Sequence, residues 1–162
     1  MRMLIGLGGN QGDVQDAFSA AVAAVAARAE VLARSALWRS EAHGPPQPDY
    51  LNAAVLLDTG AHPSEVLALC RRIEAEAGRD RTRERRWGPR PLDLDLLMAP
   101  GVVIETPALI LPHPRLAERL FALAPAVELA PDWVHPRLHR TLADLAGARA
   151  LAAQRCERIA GF

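Results

Sequence analysis

The fold is indicated most clearly by one stretch, Pro91-Leu-Asp-Leu-Asp-Leu-Leu-Met98, in which leucine and aspartate alternate. An alternation with a period of two predicts a strand whose leucines share one face, whereas Asp93 and Asp95 share the other. Side chains two residues apart on a strand lie about 6.5–7 Å apart, so both carboxylates can reach the same hard cations. Taken alone, the pair is explained equally well as a metal site and as a solvated strand face.

Three more strands and two helices are predicted upstream of this stretch. The chain reads as a strand at 3–7, a helix at 12–28, a strand at 31–39, a strand at 50–58 and a helix at 63–77. The order strand–helix–strand–strand–helix–strand is that of the split βαβ, ferredoxin-like arrangement. We therefore predict an α+β fold, with an antiparallel-rich sheet and packed helices, in which residues 1–162 form a single domain.

The segment after the fourth strand has weaker patterns. Residues 102–105 are predicted to form a hairpin with that strand through Ala99-Pro-Gly101, and a helix is predicted within 112–124. Thr141, followed by an aspartate three residues later, predicts the start of a last helix. Beyond Pro136 the chain carries no further motif from which a function can be inferred.

Composition limits the possible chemistry. The 162 residues contain nineteen basic and nineteen acidic side chains, and every basic one is arginine. The lack of lysine excludes a P-loop lysine, a Schiff-base lysine and an S-x-x-K nucleophile. If the protein handles phosphate, arginines, backbone amides or metal ions must do so.

The sequence carries no targeting or membrane pattern. The apolar run before Gly6 is too short for a signal peptide, and the alanine-rich stretch 17–33 falls short of the roughly 20 residues that span a membrane. Cys70 and Cys156 are too few for a disulfide framework, which fits a reducing compartment. We therefore expect a cytoplasmic protein that binds no membrane.

Two patterns that suggest other functions do not meet their requirements. The glycines of Gly6-Leu-Gly-Gly-Asn-Gln-Gly12 do not fit the G-x-G-x-x-G spacing of a dinucleotide-binding turn. His135 and His139 have a spacing that metal ligands on a helix can have, but Pro136 interrupts a helix between them. Neither a Rossmann cofactor nor a zinc site is expected.

Six arginines precede the two aspartates in residues 79–91, called the arginine segment below, which lacks a periodic apolar pattern and is predicted to be an exposed loop. They are Arg79, Arg81, Arg83, Arg85, Arg86 and Arg90. Guanidinium groups bind phosphate oxygens in a bidentate manner and carboxylates hold Mg²⁺, so together they suit metal-assisted phosphoryl transfer. A charged run of this kind can also be merely solvated, or it can bind nucleic acid.

Tyr50 and Asn52 share one face of the third predicted strand, directly after the proline-rich loop 43–49. An aromatic ring beside a carboxamide can stack a flat heterocycle and read the donors and acceptors on its edge. The same pair occurs more often as a packed ring and a hydrogen-bonded amide. The pair alone therefore leaves both interpretations open.

Five segments together resemble the 6-hydroxymethyl-7,8-dihydropterin pyrophosphokinases of folate biosynthesis, in the order in which that family carries them. They are Gly8-Gly-Asn10, Gln47-Pro-Asp-Tyr-Leu-Asn-Ala-Ala-Val55, Arg72-Ile-Glu74 with Gly78-Arg79, Arg86-Trp-Gly-Pro-Arg-Pro-Leu-Asp-Leu-Asp95, and Leu111-Pro-His-Pro-Arg115 followed by Arg119 and Phe121. The resemblance implies a ferredoxin-like kinase that transfers the β,γ-pyrophosphoryl group of ATP to the pterin hydroxymethyl oxygen and releases AMP.

The resemblance also implies a role for each matched residue. The catalytic residues would be Arg79, Arg90, Asp93 and Asp95, with Asp93 and Asp95 holding two Mg²⁺ ions. The residues around ATP, the co-substrate, would be Glu74, Arg81, Trp87, Arg90, Leu96, His113 and Arg119. Those around the pterin would be Ala42, His43, Tyr50, Asn52, Asp95 and Phe121.

The expected partners are these two small molecules, with no nucleic acid and no membrane, and the expected state is a monomer. One alternative is a ferredoxin-like RNA-binding module that uses the arginine segment, although the chain has no RNP-type aromatic motif and two carboxylates flank the cations. A second alternative is a relative that binds pterin or nucleotide without turnover.

Overall fold

The computed structural model describes residues 1–86 and 88–162 and contains a six-stranded antiparallel sheet beside a two-stranded one. The strands are β1 (Arg2–Gly9), β2 (Glu30–Arg34), β3 (Leu37–Ser40), β4 (Tyr50–Asp58), β5 (Asp93–Met98), β6 (Ile104–Glu105), β7 (Ile110–Leu111) and β8 (Cys156–Ala160). The helices are α1 (Val14–Ala26), α2 (Pro63–Glu76), α3 (Leu120–Leu129) and α4 (Leu142–Ala146), with short 3₁₀ turns at Leu116–Glu118 and Arg149–Leu151.

The strand order confirms the predicted α+β, ferredoxin-like fold. The main sheet runs β5-β1-β4-β3-β8, and β2 pairs with β4 next to β3. Since β1 pairs antiparallel with both β4 and β5, those two strands are parallel with β1 between them, and α2 connects them. This is the split βαβ unit, and it places Asp93 and Asp95 beside the start of the chain.

Capping residues that are visible in the sequence begin α1, α2 and α4. The side chain of Asp13 accepts a hydrogen bond from the amide of Asp16 at 3.0 Å and caps α1. At α2 the side chain of Glu65 accepts from the amide of His62 at 2.7 Å, and Pro63 occupies the first helical position. The predicted start at Thr141 is confirmed as well, because its hydroxyl caps α4.

The sheet has two differently covered faces, as the alternation in β4 and β5 predicts. The first face packs under α1 and α2, with Met3 and Ile5 of the sheet and Phe18 of α1 buried between them. The second face packs under α3 and α4 around residues that include Leu4, Leu56 and Leu97. The rest of that face, where Asp93, Asp95, Tyr50 and Asn52 lie, is open enough to form a cavity.

Three local predictions are wrong. The strand predicted at 31–39 is two strands, because Ser35 and Ala36 leave the ladder between them: the Ser35 hydroxyl accepts from Ala54 N–H and the Ala36 amide donates to Glu128. The hairpin predicted for 102–105 forms between β6 and β7 rather than with β5.

The helix predicted within 112–124 is a 3₁₀ turn followed by α3, which continues through Pro125 to Leu129. Strand β8 is an element that the sequence patterns did not indicate. Within residues 1–86 and 88–162, every helix is too short or too polar to cross a bilayer.

Candidate functional site

A cavity of about 500 Å³ opens on the second face of the sheet. Its wall combines the sheet, the loop around 41–44, the arginine segment, α3 and the C-terminal segment. Among the lining residues are Gly6, Gly8, His43, Tyr50, Asn52, Arg90, Asp93, Asp95, Arg119 and Phe121. The structure therefore brings the predicted carboxylates, two of the predicted arginines and the predicted aromatic residues to one place.

Two glycines of β1 form the floor of the cavity. In the sheet register Gly8 lies between Asn52 and Asp93, and Gly6 lies opposite Asp95. A Cβ atom at Gly8 would be 3.8 Å from Oδ1 of Asn52 and 3.9 Å from Cβ of Asp93, which is ordinary contact. A longer side chain there would occupy the space between the amide and the carboxylates, so the cavity depends on glycine at this position.

The two carboxylates have unlike surroundings. Asp93 accepts hydrogen bonds from Arg79 and, at 3.0 Å, from Nη1 of Arg90. Although burial opposes its ionisation, these guanidinium groups hold the pKa of Asp93 below its usual range. Asp93 is therefore an ionised carboxylate that accepts hydrogen bonds from two arginines.

Asp95 is farther from its neighbouring guanidinium group than Asp93 is from its own. Oδ2 of its carboxylate is 3.9 Å from Nε2 of His113 and 3.9 Å from Nη1 of Arg119. Burial and the neighbouring Asp93 carboxylate raise the pKa of Asp95 to about 7. Burial lowers the pKa of His113 to about 4, so the imidazole contributes no compensating charge near neutral pH. Asp95 is the carboxylate that gains most from a bound divalent cation.

Asp95 should make folding stability depend on pH in the absence of metal. Because the folded protein binds the Asp95 proton more tightly than the unfolded chain, its contribution to stability falls as the pH rises from about 4 to about 7. We expect Asp95→Asn to raise the free energy of unfolding by about 1 kcal/mol at pH 8, or about 2–4 °C in Tm, and by much less near pH 4. This gain is well below what the full pKa shift would give, since the side chain is 39% exposed and solvent screens it.

Thermal unfolding in EDTA at both pH values measures this effect. Asp132→Asn, at an exposed position, is the matched control and should leave Tm unchanged at both. A stabilisation by Asp95→Asn of equal size at pH 4 and pH 8 would show that titration of the carboxylate is not its cause.

The end of α2 determines where the arginine segment begins. Gly78 has φ 89°, its amide donates to the Ala75 carbonyl, and the amide of Arg79 donates to the Glu74 carbonyl at 3.0 Å. These two bonds are a Schellman motif, which needs a residue that tolerates positive φ at Gly78. The turn directs the chain back along α2, so Arg79 lies next to the side chain of Glu74.

The prediction that the whole arginine segment is exposed is wrong at Arg79, whose side chain is 3% exposed. Its guanidinium donates to Glu74 at 2.6 Å and also to Glu84 and Asp93. Three carboxylates from separate segments surround this one cation, and their charge offsets the cost of burying it. Arg79 thus joins α2, the arginine segment and β5.

Glu74 is itself almost fully buried, at 1% exposure, behind the cavity wall. Its carboxylate accepts from Arg79 and Arg81, both at 2.6 Å, and from the amide of Leu94 at 2.7 Å. The structure therefore places Glu74 and Arg81 together as an ion pair. An ATP contact by either of them remains a prediction.

Arg90 lines the cavity, and Asn10 holds its backbone. The Arg90 amide donates to Oδ1 of Asn10 at 2.9 Å, and the Asn10 amide donates to the Arg90 carbonyl at 2.9 Å. Asn10 also donates to the side chain of Gln47 and to the Pro48 carbonyl, both at 2.9 Å. One asparagine therefore links the arginine segment to the loop that leads into β4.

The guanidinium of Arg90 has one N–H donor that is not used in a hydrogen bond to the described residues. Within the part of the chain that the structure describes, its buried Nε has no hydrogen-bond partner. A buried donor without an acceptor costs about 1–3 kcal/mol. An anionic oxygen in the cavity would remove that cost, so this atom points to an anionic ligand.

Tyr50, Asn52 and Phe121 line the same cavity as the two carboxylates. The hydroxyl of Tyr50 donates to the Gly88 carbonyl at 2.9 Å, and Nδ2 of Asn52 donates to Oγ of Ser40 at 2.8 Å. With its amide nitrogen turned toward Ser40, Asn52 has Oδ1 on the side of Gly8. Tyr50, Phe121 and Asn52, which were predicted to contact the pterin, therefore all line this cavity.

The remaining predicted residues have varied positions. Ala42 lies between two wall residues, Glu41 and His43. Leu96 is 2% exposed and packs in the core on the first face, so its side chain points away from the cavity and only its backbone can approach a ligand there. The prediction for Trp87 lies outside the described residues.

Some residues of the site had not been assigned a role. Asn10 belongs to the Gly8-Gly-Asn10 motif, but its contact with Arg90 spans 80 residues and has no local pattern. Gln154 lines the cavity from a segment in which no motif was found. Neither contact could be inferred from spacing along the chain.

Asp93 and Asp95 are the residues that could hold a metal ion. Among the described residues, no group of three or more His, Cys, Asp or Glu side chains is arranged for a metal. Mg²⁺ commonly takes one or two carboxylates and completes its octahedron with phosphate oxygens and water. Two carboxylates beside a donor-rich wall therefore fit a cation that binds together with a polyphosphate, rather than a closed protein cage.

Comparison with known proteins agrees with this chemistry. Residues 4–131 match the family model described as 7,8-dihydro-6-hydroxymethylpterin-pyrophosphokinase. Two similar curated proteins are both named 2-amino-4-hydroxy-6-hydroxymethyldihydropteridine pyrophosphokinase. The one from Synechocystis is 44% identical over 144 residues, covering 88% of this chain and 73% of that protein. The one from Methylorubrum extorquens is 44% identical over 136 residues, covering 82% and 85%.

A solved structure has the same fold. The wild-type HPPK-DHPS protein of Plasmodium falciparum, crystallised with SDX-DHP, aligns with a TM-score of 0.66 at 13% sequence identity. The alignment covers 90% of this chain and 43% of that one, so the present chain spans less than half of the crystallised protein. At that identity the likeness supports the fold alone.

Proposed function

The chain belongs to the 7,8-dihydro-6-hydroxymethylpterin-pyrophosphokinase family, and we propose that it transfers the β,γ-pyrophosphoryl group of ATP to the hydroxymethyl oxygen of 6-hydroxymethyl-7,8-dihydropterin, with release of AMP. One observation carries the proposal: the carboxylates of Asp93 and Asp95, the guanidinium of Arg90 and the rings of Tyr50 and Phe121 face one cavity. In this reaction the pterin oxygen attacks the β-phosphorus, and the bond from that phosphorus to the α,β-bridging oxygen breaks.

Tyr50, Asn52 and Phe121 hold the pterin in this proposal. The two rings sandwich the flat heterocycle, and Asn52 reads its pyrimidinone edge through its amide, while the backbone at Ala42 and His43 completes that edge. The polar edge of the ring is then fixed toward β3, and the hydroxymethyl group is directed toward Asp95. Orientation of this kind converts an encounter between two substrates into a step within one complex.

Asp93 and Asp95 would hold two Mg²⁺ ions together with the phosphates of ATP. The chemistry that the ions would supply there is neutralisation and orientation of the polyphosphate. Arg79 donates to Oδ1 of Asp93 and Arg90 donates to Oδ2, and each of these oxygens keeps a further lone pair for a cation. The two guanidinium groups therefore lie beside the position proposed for the metal ions and the phosphates.

The remaining contacts serve ATP. Glu74, Arg81, Trp87, Leu96, His113 and Arg119 surround the nucleotide in this proposal, together with Arg90. Arg90 offers a free buried donor to the charge that develops during transfer, and a guanidinium in this role is worth on the order of 10³-fold or more in rate. The arginine segment, with Arg79 at its start, closes over both substrates and excludes water that would compete as a nucleophile.

We further infer that residues 1–162 act as one domain and as a monomer in the cytoplasm, on these small molecules and without nucleic acid. The arginine segment supports this inference over RNA binding at its start, because Arg79, with a side chain 3% exposed, and Arg81 both pair with the buried carboxylate of Glu74. An RNA-binding surface would present these cations to phosphate instead. The cysteines, Cys70 and Cys156, are free thiols.

The reaction is tested by incubating the protein with ATP, MgCl₂ and 6-hydroxymethyl-7,8-dihydropterin. Chromatography should show AMP and the pterin diphosphate in equal amounts, and neither product when the pterin is omitted or EDTA is added. Formation of ADP would mean that only the γ-phosphoryl group is transferred, which contradicts the proposal. Absence of both AMP and ADP, with substrates still bound, would indicate a relative without turnover.

A further inference from the structure

The start of helix α3, where Arg119, Phe121 and Ala122 line the cavity, lacks the usual side-chain cap. Arg119 is the N-cap residue, with φ −123° and ψ 99°, and its side chain makes no capping hydrogen bond. The guanidinium faces the cavity: Nη1 is 3.9 Å from Oδ2 of Asp95, and Cζ is 5.6 Å from the centroid of the Phe121 ring. Because an arginine side chain has hydrogen-bond donors and no acceptor, it cannot satisfy the first amides of the helix, which need an acceptor from another residue.

The side chain of Gln154 supplies the missing partner from 34 residues further along the chain. Its Oε1 accepts a hydrogen bond from the amide of Leu120 at 2.9 Å, and its Nε2 donates to the carbonyl of Glu118 at 2.7 Å. These are the peptide groups on the two sides of Arg119. One carboxamide therefore fixes the backbone immediately before and immediately after that residue.

Gln154 is itself held from both directions. Leu151, three residues earlier, is 2% exposed in the core of the second face, and its carbonyl accepts from the amide of Gln154 at 2.9 Å. Two residues later the chain enters β8, which pairs with β3. Because the segment that carries Gln154 is fixed on both sides, its side chain can hold the first residues of α3 in place.

We propose that Gln154 is a positioning residue that sets Arg119 and Phe121 for ligand binding by clamping the peptide groups around Arg119. It lies beyond residues 4–131, the part of the chain that the family model matches. The inference rests on the proposed function, because Arg119 and Phe121 are the residues assigned there to ATP and the pterin. The C-terminal segment therefore contributes to the site, through the hydrogen bonds of Gln154, as well as to the fold.

Gln154→Ala should raise KM for both ATP and the pterin about tenfold and change kcat by less than about threefold, because both clamping hydrogen bonds are lost while the reacting groups stay in place. Gln154→Glu keeps an acceptor for the Leu120 amide but places an oxygen against the Glu118 carbonyl, so its KM values should fall between those of the parent and of Gln154→Ala. Gln15→Ala, at an exposed position on α1, is the matched control and should keep the parent values.

Hydrogen exchange at the Leu120 amide provides a readout that needs no activity. Exchange should be faster in Gln154→Ala than in the parent, since Gln154 is the acceptor for this amide. KM values within twofold of the parent in Gln154→Ala overturn the proposal whatever the change in Tm, and so does an unchanged exchange rate at Leu120. If Gln154→Ala does not fold, the test uses Gln154→Glu instead. KM values of Gln154→Glu within twofold of the parent values then overturn the proposal.

The two readouts separate this proposal from the proposed function. A parent protein that produces no AMP contradicts the proposed function, while the exchange rate at Leu120 still tests the clamp. An active parent with unaffected Gln154 variants contradicts only the clamp.

Discussion

Asp95→Asn is expected to lower the rate of AMP formation by at least about 10³-fold at saturating substrate and Mg²⁺. Asparagine has nearly the same size, but it lacks the charge that binds a hard divalent cation and balances the phosphates. Asp95 is also the less neutralised of the two carboxylates, since the Arg119 guanidinium lies 3.9 Å from its Oδ2, whereas Asp93 accepts hydrogen bonds from two arginines. Initial rates of AMP release measured against Mg²⁺ concentration test this expectation.

A loss of activity in this variant can be separated from a loss of structure. The same substitution is expected to keep or raise Tm at pH 8, because it removes an ionised carboxylate whose pKa burial has raised. Asp132→Asn serves as the control for removing an acidic side chain from an exposed position. Retention of more than a tenth of the parent rate by Asp95→Asn would remove Asp95 from the metal site.

Arg90→Ala is the second change with a large expected effect, a fall in kcat of about 10²- to 10³-fold with little change in KM for the pterin. The guanidinium contacts Asp93 at 3.0 Å and carries a buried Nε with no partner among the described residues, so it is poised to bind phosphate oxygen as charge develops. Since the backbone of Arg90 is held by Asn10, loss of the side chain should leave the wall in place. Quenched-flow measurement of a single turnover isolates this step.

Two further variants complete the test of Arg90. Arg90→Lys keeps the charge without the planar fork, and we expect it to restore only part of the loss. Arg83→Ala, in the same segment with a side chain 88% exposed, is the matched control and should retain the parent rate. Equal kcat in Arg90→Ala and Arg83→Ala would contradict a catalytic role for Arg90.

Arg79 is a less suitable residue for this comparison, although the resemblance assigns it a similar role. It neutralises Glu74, which is 1% exposed, and removing it would leave that buried carboxylate with Arg81 and one backbone amide as partners. Breaking a buried ion pair from one side costs about 3–5 kcal/mol. A fall in activity after Arg79→Ala would therefore mix lost chemistry with a displaced arginine segment.

Local patterns in the sequence predicted the parts of the site that lie on regular strands. The alternation in β4 and β5 correctly separated Asp93, Asp95, Tyr50 and Asn52 from the residues of the helix-covered core, because neighbouring side chains on a strand point to opposite faces. The order of strands and helices likewise led to the ferredoxin-like sheet, in which β1 lies between β4 and β5. These features follow from spacings of two to four residues.

Contacts between distant segments could not be predicted in this way. Nothing in the spacing of the arginine segment distinguishes buried Arg79 from exposed Arg83, since the difference comes from carboxylates on α2 and β5. Strand β8 is similarly hidden, because it lies at the sheet edge and its charged residues give no regular apolar alternation.

The amino-acid order was sufficient for the split βαβ unit, for the starts of α1, α2 and α4 and for the pairing of two carboxylates on one strand face, because each of these follows from patterns of near neighbours along the chain. The burial of Arg79, the hold of Asn10 on Arg90 and the clamp by Gln154 around Arg119 arise only when residues 5 to 80 positions apart are packed together. Hydrogen bonds and ion pairs over such separations are set by the folded backbone and leave no periodic trace in the sequence.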